Sequence, residues 1–172
     1  MLASATEASP SYPQVGATRD ARMPDGYRHD RDTTRLGRGD GVFERAVSAL
    51  REWRVQADVG IEVVPPDARV GEHETVVLLI RFAGLWAVAP CRVVYVEQEP
   101  NSFAFAYGTL PGHPEKGEVA FNVARDDAGV VFSVTSFSRP ADALARAASP
   151  VTRRLQRRVT LGYLEAIRSA VR

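Results

Sequence analysis

In the stretch Phe103-Ala104-Phe105-Ala106-Tyr107-Gly108-Thr109-Leu110-Pro111-Gly112-His113-Pro114-Glu115-Lys116-Gly117-Glu118-Val119-Ala120-Phe121-Asn122-Val123, large and small residues alternate on both sides of a Gly- and Pro-rich link. Period-two alternation is the mark of a strand with two unlike faces. Phe103, Phe105 and Tyr107 share one face, and Ala104 and Ala106 the other. Val119, Phe121 and Val123 repeat the pattern against Ala120, Asn122 and Ala124. Asp126-Asp127-Ala128-Gly129 is a turn into a further run, Val130 to Phe137. Upstream, Thr75 to Phe82, Leu85 to Pro90 and Arg92 to Glu97 are rich in apolar and β-branched residues. Short strands joined by tight turns predict an antiparallel meander.

Helices flank this block. Val42, Ala46, Val47, Leu50 and Trp53 recur at helical spacing, so about 41–53 reads as an amphipathic helix with Asp40 as its N-cap. Ile61 to Val64 is a short strand stopped by Pro65-Pro66. Tyr27 to Leu36 is polar and extended, the character of an edge strand. Arg139-Pro140 ends the sheet, and 141–148 suits a helix. Ser149 and Pro150 then cap and start a long helix. At 100° steps Val151, Leu155, Val159, Gly162, Tyr163, Ala166, Ile167 and Ala170 fall on one side of it. Arg153, Arg154, Arg157, Arg158 and Arg168 fall on the other, while Gln156 and Tyr163 turn polar tips inward. The predicted class is α+β: one domain with a curved antiparallel sheet of six or seven strands gripping a long C-terminal helix. Residues 1–22, rich in Ala, Ser, Thr and Pro, read as a flexible N-terminal tail, and 23–172 as the domain.

The composition of the 172 residues excludes several classes. A net charge of +1 gives no overall field for nucleic acid or an anionic membrane. The Arg face of the last helix reads as a solvated surface, because no aromatic residues interleave with it; an interaction module built on it ranks last among three readings. No run is long enough to span a membrane, and the N-terminus lacks a signal peptide's apolar core. The expected location is the cytoplasm. Lys116 is the only lysine, an Arg bias that suits a GC-rich, bacterial genome. One cysteine, Cys91, rules out an internal disulfide and reads as an inert strand thiol. His29, His73 and His113 are scattered without metal-ligand spacing, and no nucleophile elbow, phosphate loop or dinucleotide fingerprint occurs. No metal and no cofactor are expected.

The chemistry concentrates in Tyr107 to Glu118. His113 is the candidate acid or base, Glu118 or Glu115 its orienting carboxylate, and Tyr107 a hydroxyl donor. His113 in a Gly-Pro turn would equally bond its own backbone, and Glu118 would equally cap that loop. Gln156, Tyr163, Arg92 and Ser136 are the polar residues placed to decorate an internal cavity, or to satisfy buried neighbours.

The phrase Phe105 to Pro114 followed by Gly117-Glu118 resembles the signature of the uncharacterised domain-of-unknown-function family nineteen-ninety, known from bacteria and plants. Arg92-Val93-Val94-Tyr95, Ser136 to Pro140 and Leu155 to Arg158 are similar to its other blocks, so the resemblance covers about 27–170. It usually carries two acids after the last motif Gly, where this chain has Glu118-Val119, which removes a carboxylate pair. The predicted architecture resembles the helix-grip fold of the START and birch-pollen-allergen superfamily, which implies an apolar cavity between sheet and helix. A small apolar or amphipathic metabolite held by Tyr107, His113, Gln156, Tyr163, Arg92 and Ser136 is the first expectation. Because related folds include polyketide cyclases and aromatases, the alternative is a cyclase or dehydratase with His113 as general acid or base, Glu118 orienting it and Tyr107 donating to an oxyanion.

Overall fold

The computed structural model describes residues 2–82, 84–147 and 149–172, without the side chains of 2–4, 82, 85, 144, 147 and 149–152. The expected cap at Ser149, the inward face of Val151 and the helix end at Ala148 lie outside the described residues.

Seven strands form one antiparallel sheet. They are β1 (Arg28–Gly37), β2 (Ile61–Val64), β3 (Thr75–Phe82), β4 (Leu85–Glu99), β5 (Ser102–Thr109), β6 (Glu115–Asp126) and β7 (Gly129–Pro140). The spatial order is β1-β7-β6-β5-β4-β3-β2, so β3 to β7 form a meander with the polar β1 and the short β2 at its edges. The helices are α1 (Leu2–Glu7), α2 (Asp40–Arg51), α3 (Arg54–Asp58), α4 (Ala143–Ala147) and α5 (Ser149–Ala170).

Strand parity divides the sheet into two faces. Phe103, Phe105, Tyr107, Phe121, Val123, Phe132 and Val134 lie on the concave face, in one core with α2 and with Tyr163, Ala166 and Ile167 of α5. Phe121 stands at its centre, with Phe105 at 5.2 Å, Tyr107 at 5.7 Å and Phe132 at 6.3 Å, and Tyr163 meets it edge-on at 5.2 Å. The convex face is thinner: Tyr95, Ala104, Ala106 and Ala120 form a separate cluster there.

Four expectations change. Leu85 to Glu97 is one strand, not two; a bulge between Val93 and Tyr95 turns Tyr95 to the convex face while Val93 stays in the main core. The helix expected over 41–53 begins one residue earlier and has no side-chain cap, because Asp40 is its first residue and Gly39 precedes it. It ends at Arg51, and Trp53, with a left-handed backbone (φ 57°), stands between it and α3. Glu115 to Glu118, read as loop, opens β6 and pairs with β7 from Pro140 to Phe137.

The fourth change concerns residues 1–22, read as a tail. Ser11 to Arg19 lies on the convex face. The Ser11 amide donates to the Thr109 carbonyl at 2.9 Å, and Tyr12 is buried edge-on against Phe137. Gly108 makes room for Tyr12: a Cβ there would fall 2.0 Å from the tyrosine oxygen. Polar and Pro-rich composition does not forbid docking when a buried acceptor waits on the sheet.

Candidate functional site

The acceptor is Glu118. Counting by twos from Phe121 puts Glu118 with Ala120 on the convex face, and its carboxylate is buried there. Tyr12 Oη donates to it at 2.7 Å, the Gly16 amide at 2.7 Å and the Thr18 amide at 3.0 Å, and the Thr18 hydroxyl makes a further short bond. The Tyr95 hydroxyl joins the chain through Thr18 Oγ1 at 2.9 Å. Hydrogen bonds to a carboxylate are worth about 1.5–3 kcal/mol each, so Glu118 pins the N-terminal segment. Burial and the Glu118 charge push the Tyr12 hydroxyl well above its ordinary pKa.

Arg92 also faces this side. It donates to Thr75 Oγ1 at 3.0 Å and to the carbonyls of Ala5, Thr6 and Ala8 at 2.7–2.8 Å, gathering the last carbonyls of α1 and the residue after it. The Glu118 carboxylate and the Arg92 guanidinium are therefore engaged on the convex side, although Glu118 is among the residues that border the cavity.

A cavity of about 560 Å³ lies on the opposite, concave face, between the sheet and α5. Ile61, Leu78, Ile80, Trp86, Ala89, Val119, Leu155 and Val159 supply its apolar wall. Of the residues singled out from the sequence, Tyr107, His113, Ser136, Gln156 and Tyr163 line it. Ile61, Ile80, Leu155 and Val159 also line an outer groove between α5 and the β2–β3 edge, so the cavity and the groove share a wall there. Along the same groove α5 closes on α3's exit: a Cβ on Gly162 would meet Val59 Cγ1 at 2.7 Å.

Two polar ends face the cavity. At the inner end, burial pushes the Tyr107 and Tyr163 hydroxyls well above their ordinary pKa values. The two hydroxyls interact, and Gln56 beside Tyr107 opposes part of its shift. At the outer end, parity from Phe121 brings Val119, Gly117 and Glu115 inward. Glu115 is only 9% exposed. Burial pushes its carboxyl above the usual value, against the hydrogen bonds of Ser138 and Gln156 and the charges of Arg28 and Arg153. Arg28 donates to Asp30 at 2.8 Å and to Gln156 Oε1 at 2.8 Å, and Arg157 pairs with Asp32 at 2.6 Å; these contacts hold α5 against β1.

His113 sits in the turn after Leu110, whose backbone needs Gly112 at φ 92°. The Glu115 amide donates to Nδ1 at 2.9 Å, which makes that nitrogen an acceptor and assigns the proton of the neutral ring to Nε2. The Glu115 carbonyl lies 3.0 Å from the same nitrogen, where a proton on Nδ1 would donate to it. Burial outweighs that carbonyl and lowers the imidazole pKa to about 4. His113 thus makes the bond to its own turn that the sequence offered beside an acid or base role. His113 and the Glu118 carboxylate lie on opposite sides of the sheet, so the expected pair does not form. Cys91 is fully buried in β4, and burial raises its thiol, as expected of an inert thiol.

Among the described residues no group of three or more His, Cys, Asp or Glu side chains could hold a metal, and no helix is long and apolar enough to cross a membrane. Arg28, Glu115 and Ser138 were not singled out as a cavity group; the parity signal from Phe121 would have found Glu115.

An antiparallel sheet wrapped on a long C-terminal helix above an internal cavity defines the helix-grip class. Within that class, the chain belongs to the family described as Domain of unknown function (DUF1990), whose model matches residues 11–166. A UPF0548 protein of Deinococcus radiodurans is 39% identical, over 94% of this chain and 87% of the relative. Two crystal structures share the fold at low identity. Ara h 8.0201 is 14% identical with a TM-score of 0.52, over 85% of this chain and 98% of that one. The di-domain ARO/CYC StfQ from the steffimycin biosynthetic pathway is 12% identical with a TM-score of 0.55, over 84% of this chain and 50% of that one.

Proposed function

We propose that this protein binds a small apolar or amphipathic molecule in the cavity between the sheet and α5. The observation that carries the reading is the cavity itself: about 560 Å³ with an apolar wall and a few convergent polar groups. Ligand sites are typically about 300–1,000 Å³ and of this composition. Apolar burial supplies affinity at about 25 cal/mol per Å². Tyr107 and Tyr163 at one end, and Ser136, Gln156 and Glu115 at the other, orient the molecule. The cyclase or dehydratase reading has weaker support. StfQ shares the fold, but here His113 is held neutral by burial and bonded to its own turn, and Glu118 is engaged on the far face.

The test is titration with Nile red, a neutral apolar fluorophore, of the wild-type protein and of Ala89→Phe. Ala89 is buried and faces the cavity opposite Leu78, so a phenyl ring there fills the volume. Saturable binding by the wild type and its loss in a variant with an unchanged circular dichroism spectrum is the expected result. Binding that survives Ala89→Phe, or no binding to the wild type, removes the proposal.

A further inference from the structure

The outer end of the cavity carries an uneven charge arrangement, and this bears on what the ligand is; the inference rests on the ligand-binding reading above. The acids lining the cavity with inward side chains are Asp30, Asp32 and Glu115, and the bases are Arg28, Arg153 and Arg157. Asp30 is paired with Arg28 at 2.8 Å and Asp32 with Arg157 at 2.6 Å. Arg28 also spends Nη2 on Gln156. Glu115 has no such partner: among the described residues no ion pair within 4 Å involves it, and its hydrogen bonds come from the neutral Ser138 and Gln156. Arg28 and Arg153 act on it only through their fields; Arg28 is engaged with Asp30 and Gln156, and Arg153 is itself exposed to solvent.

Glu115 is also the most deeply buried of these charged groups. Its elevated pKa reports a burial that the neighbouring charges oppose but do not overcome. The cost of taking this carboxylate out of water is incurred on folding, before any ligand arrives. A cation entering the cavity then finds a preorganised anion and adds only its own desolvation. An anion entering the same end meets Glu115 as a like charge, with Arg28 already engaged.

We propose that the outer end of the cavity selects a ligand bearing a protonated amine or similar cationic nitrogen, with Glu115 as its counter-ion and the apolar wall holding the remainder.

The experiment compares three ligands sharing one apolar body: 2-naphthylmethylamine, 2-naphthalenemethanol and 2-naphthoic acid. Each is titrated at pH 7 against the full chain by calorimetry and by Nile red displacement. The amine is expected to bind about tenfold or more tighter than the acid, with the alcohol between them. Glu115→Gln should reduce amine affinity to the level of the alcohol while leaving the alcohol nearly unchanged. Should that variant not fold, Arg153→Gln, a change at a solvent-exposed side chain, carries the test: removing the competing cation should strengthen the amine about two- to threefold and weaken the acid. Equal or tighter binding of the acid overturns the proposal, as does an amine affinity indifferent to both substitutions; the ligand-binding reading survives either result. If none of the three binds and none displaces Nile red, the ligand-binding reading fails and this inference with it.

Discussion

Acidification should destabilise the protein through His113, by an amount the structure sets. The folded imidazole titrates at about 4, lowered by burial, while an unfolded histidine titrates near 6.5. The unfolded chain therefore binds more protons between these values, so stability falls as pH drops. For one such group the loss is about 2 kcal/mol between pH 7 and pH 5, rising to about 3 kcal/mol below pH 4. Glu115 acts with the opposite sign: its carboxyl is raised in the fold, so its contribution weakens stability as pH rises through its titration. The two are separated by comparing wild type with His113→Asn. Asparagine places a carbonyl oxygen near the position of Nδ1, where it accepts the Glu115 amide without titrating. Urea unfolding at pH 7, 6, 5 and 4 should give a wild-type curve that steepens below pH 6.5 and a flatter variant curve, the difference growing to about 2 kcal/mol by pH 5. Parallel curves would refute the buried, neutral imidazole.

Three further outcomes follow from the packing. Tyr12→Phe or Glu118→Ala should release residues 8–20, seen as new protease sites and faster amide exchange there, at a cost of about 1–2 kcal/mol for Tyr12→Phe and more for Glu118→Ala, which strands four donors. Gly117→Ala should unpair the start of β6 from β7 and cost more than about 3 kcal/mol in chemical denaturation, because the new Cβ would sit 2.0 Å from the Phe137 carbonyl oxygen. Phe121→Ala should lower stability by about 3–5 kcal/mol in the same assay, since four rings pack against that one side chain.

Much of this was legible because strand parity and helix periodicity are local properties. The alternation around Phe105 and Phe121 predicted two strands of the sheet and their buried faces, and the arc Tyr163–Ala166–Ile167 predicted how α5 lies on it. Parity also carried information about the site. Glu118 is three residues from Phe121 and so falls on the other face, whereas Glu115 is six away and falls on the same one. Treating Glu115 to Glu118 as loop concealed that count, because a loop has no parity. The N-terminal docking was not legible in the same way. Tyr12 finds its place through Gly108 and Glu118, about a hundred residues away, and no short-range pattern announces such a partner. Arg92 was misplaced for a similar reason: a lone Arg in an apolar strand has two faces to choose from, and α1 supplied the carbonyls that fixed it.

The space between sheet and α5 should take up a small molecule. The most direct test is a titration of protein carrying carbon-13-labelled methyl groups with 2-naphthalenemethanol, followed by nuclear magnetic resonance. Saturable shifts are expected at Leu78, Ile80, Ala89, Val119, Leu155 and Val159, with Ala104, Ala106 and Ala120 on the convex face unmoved. Shifts confined to the convex face, or none at saturating ligand, would contradict it.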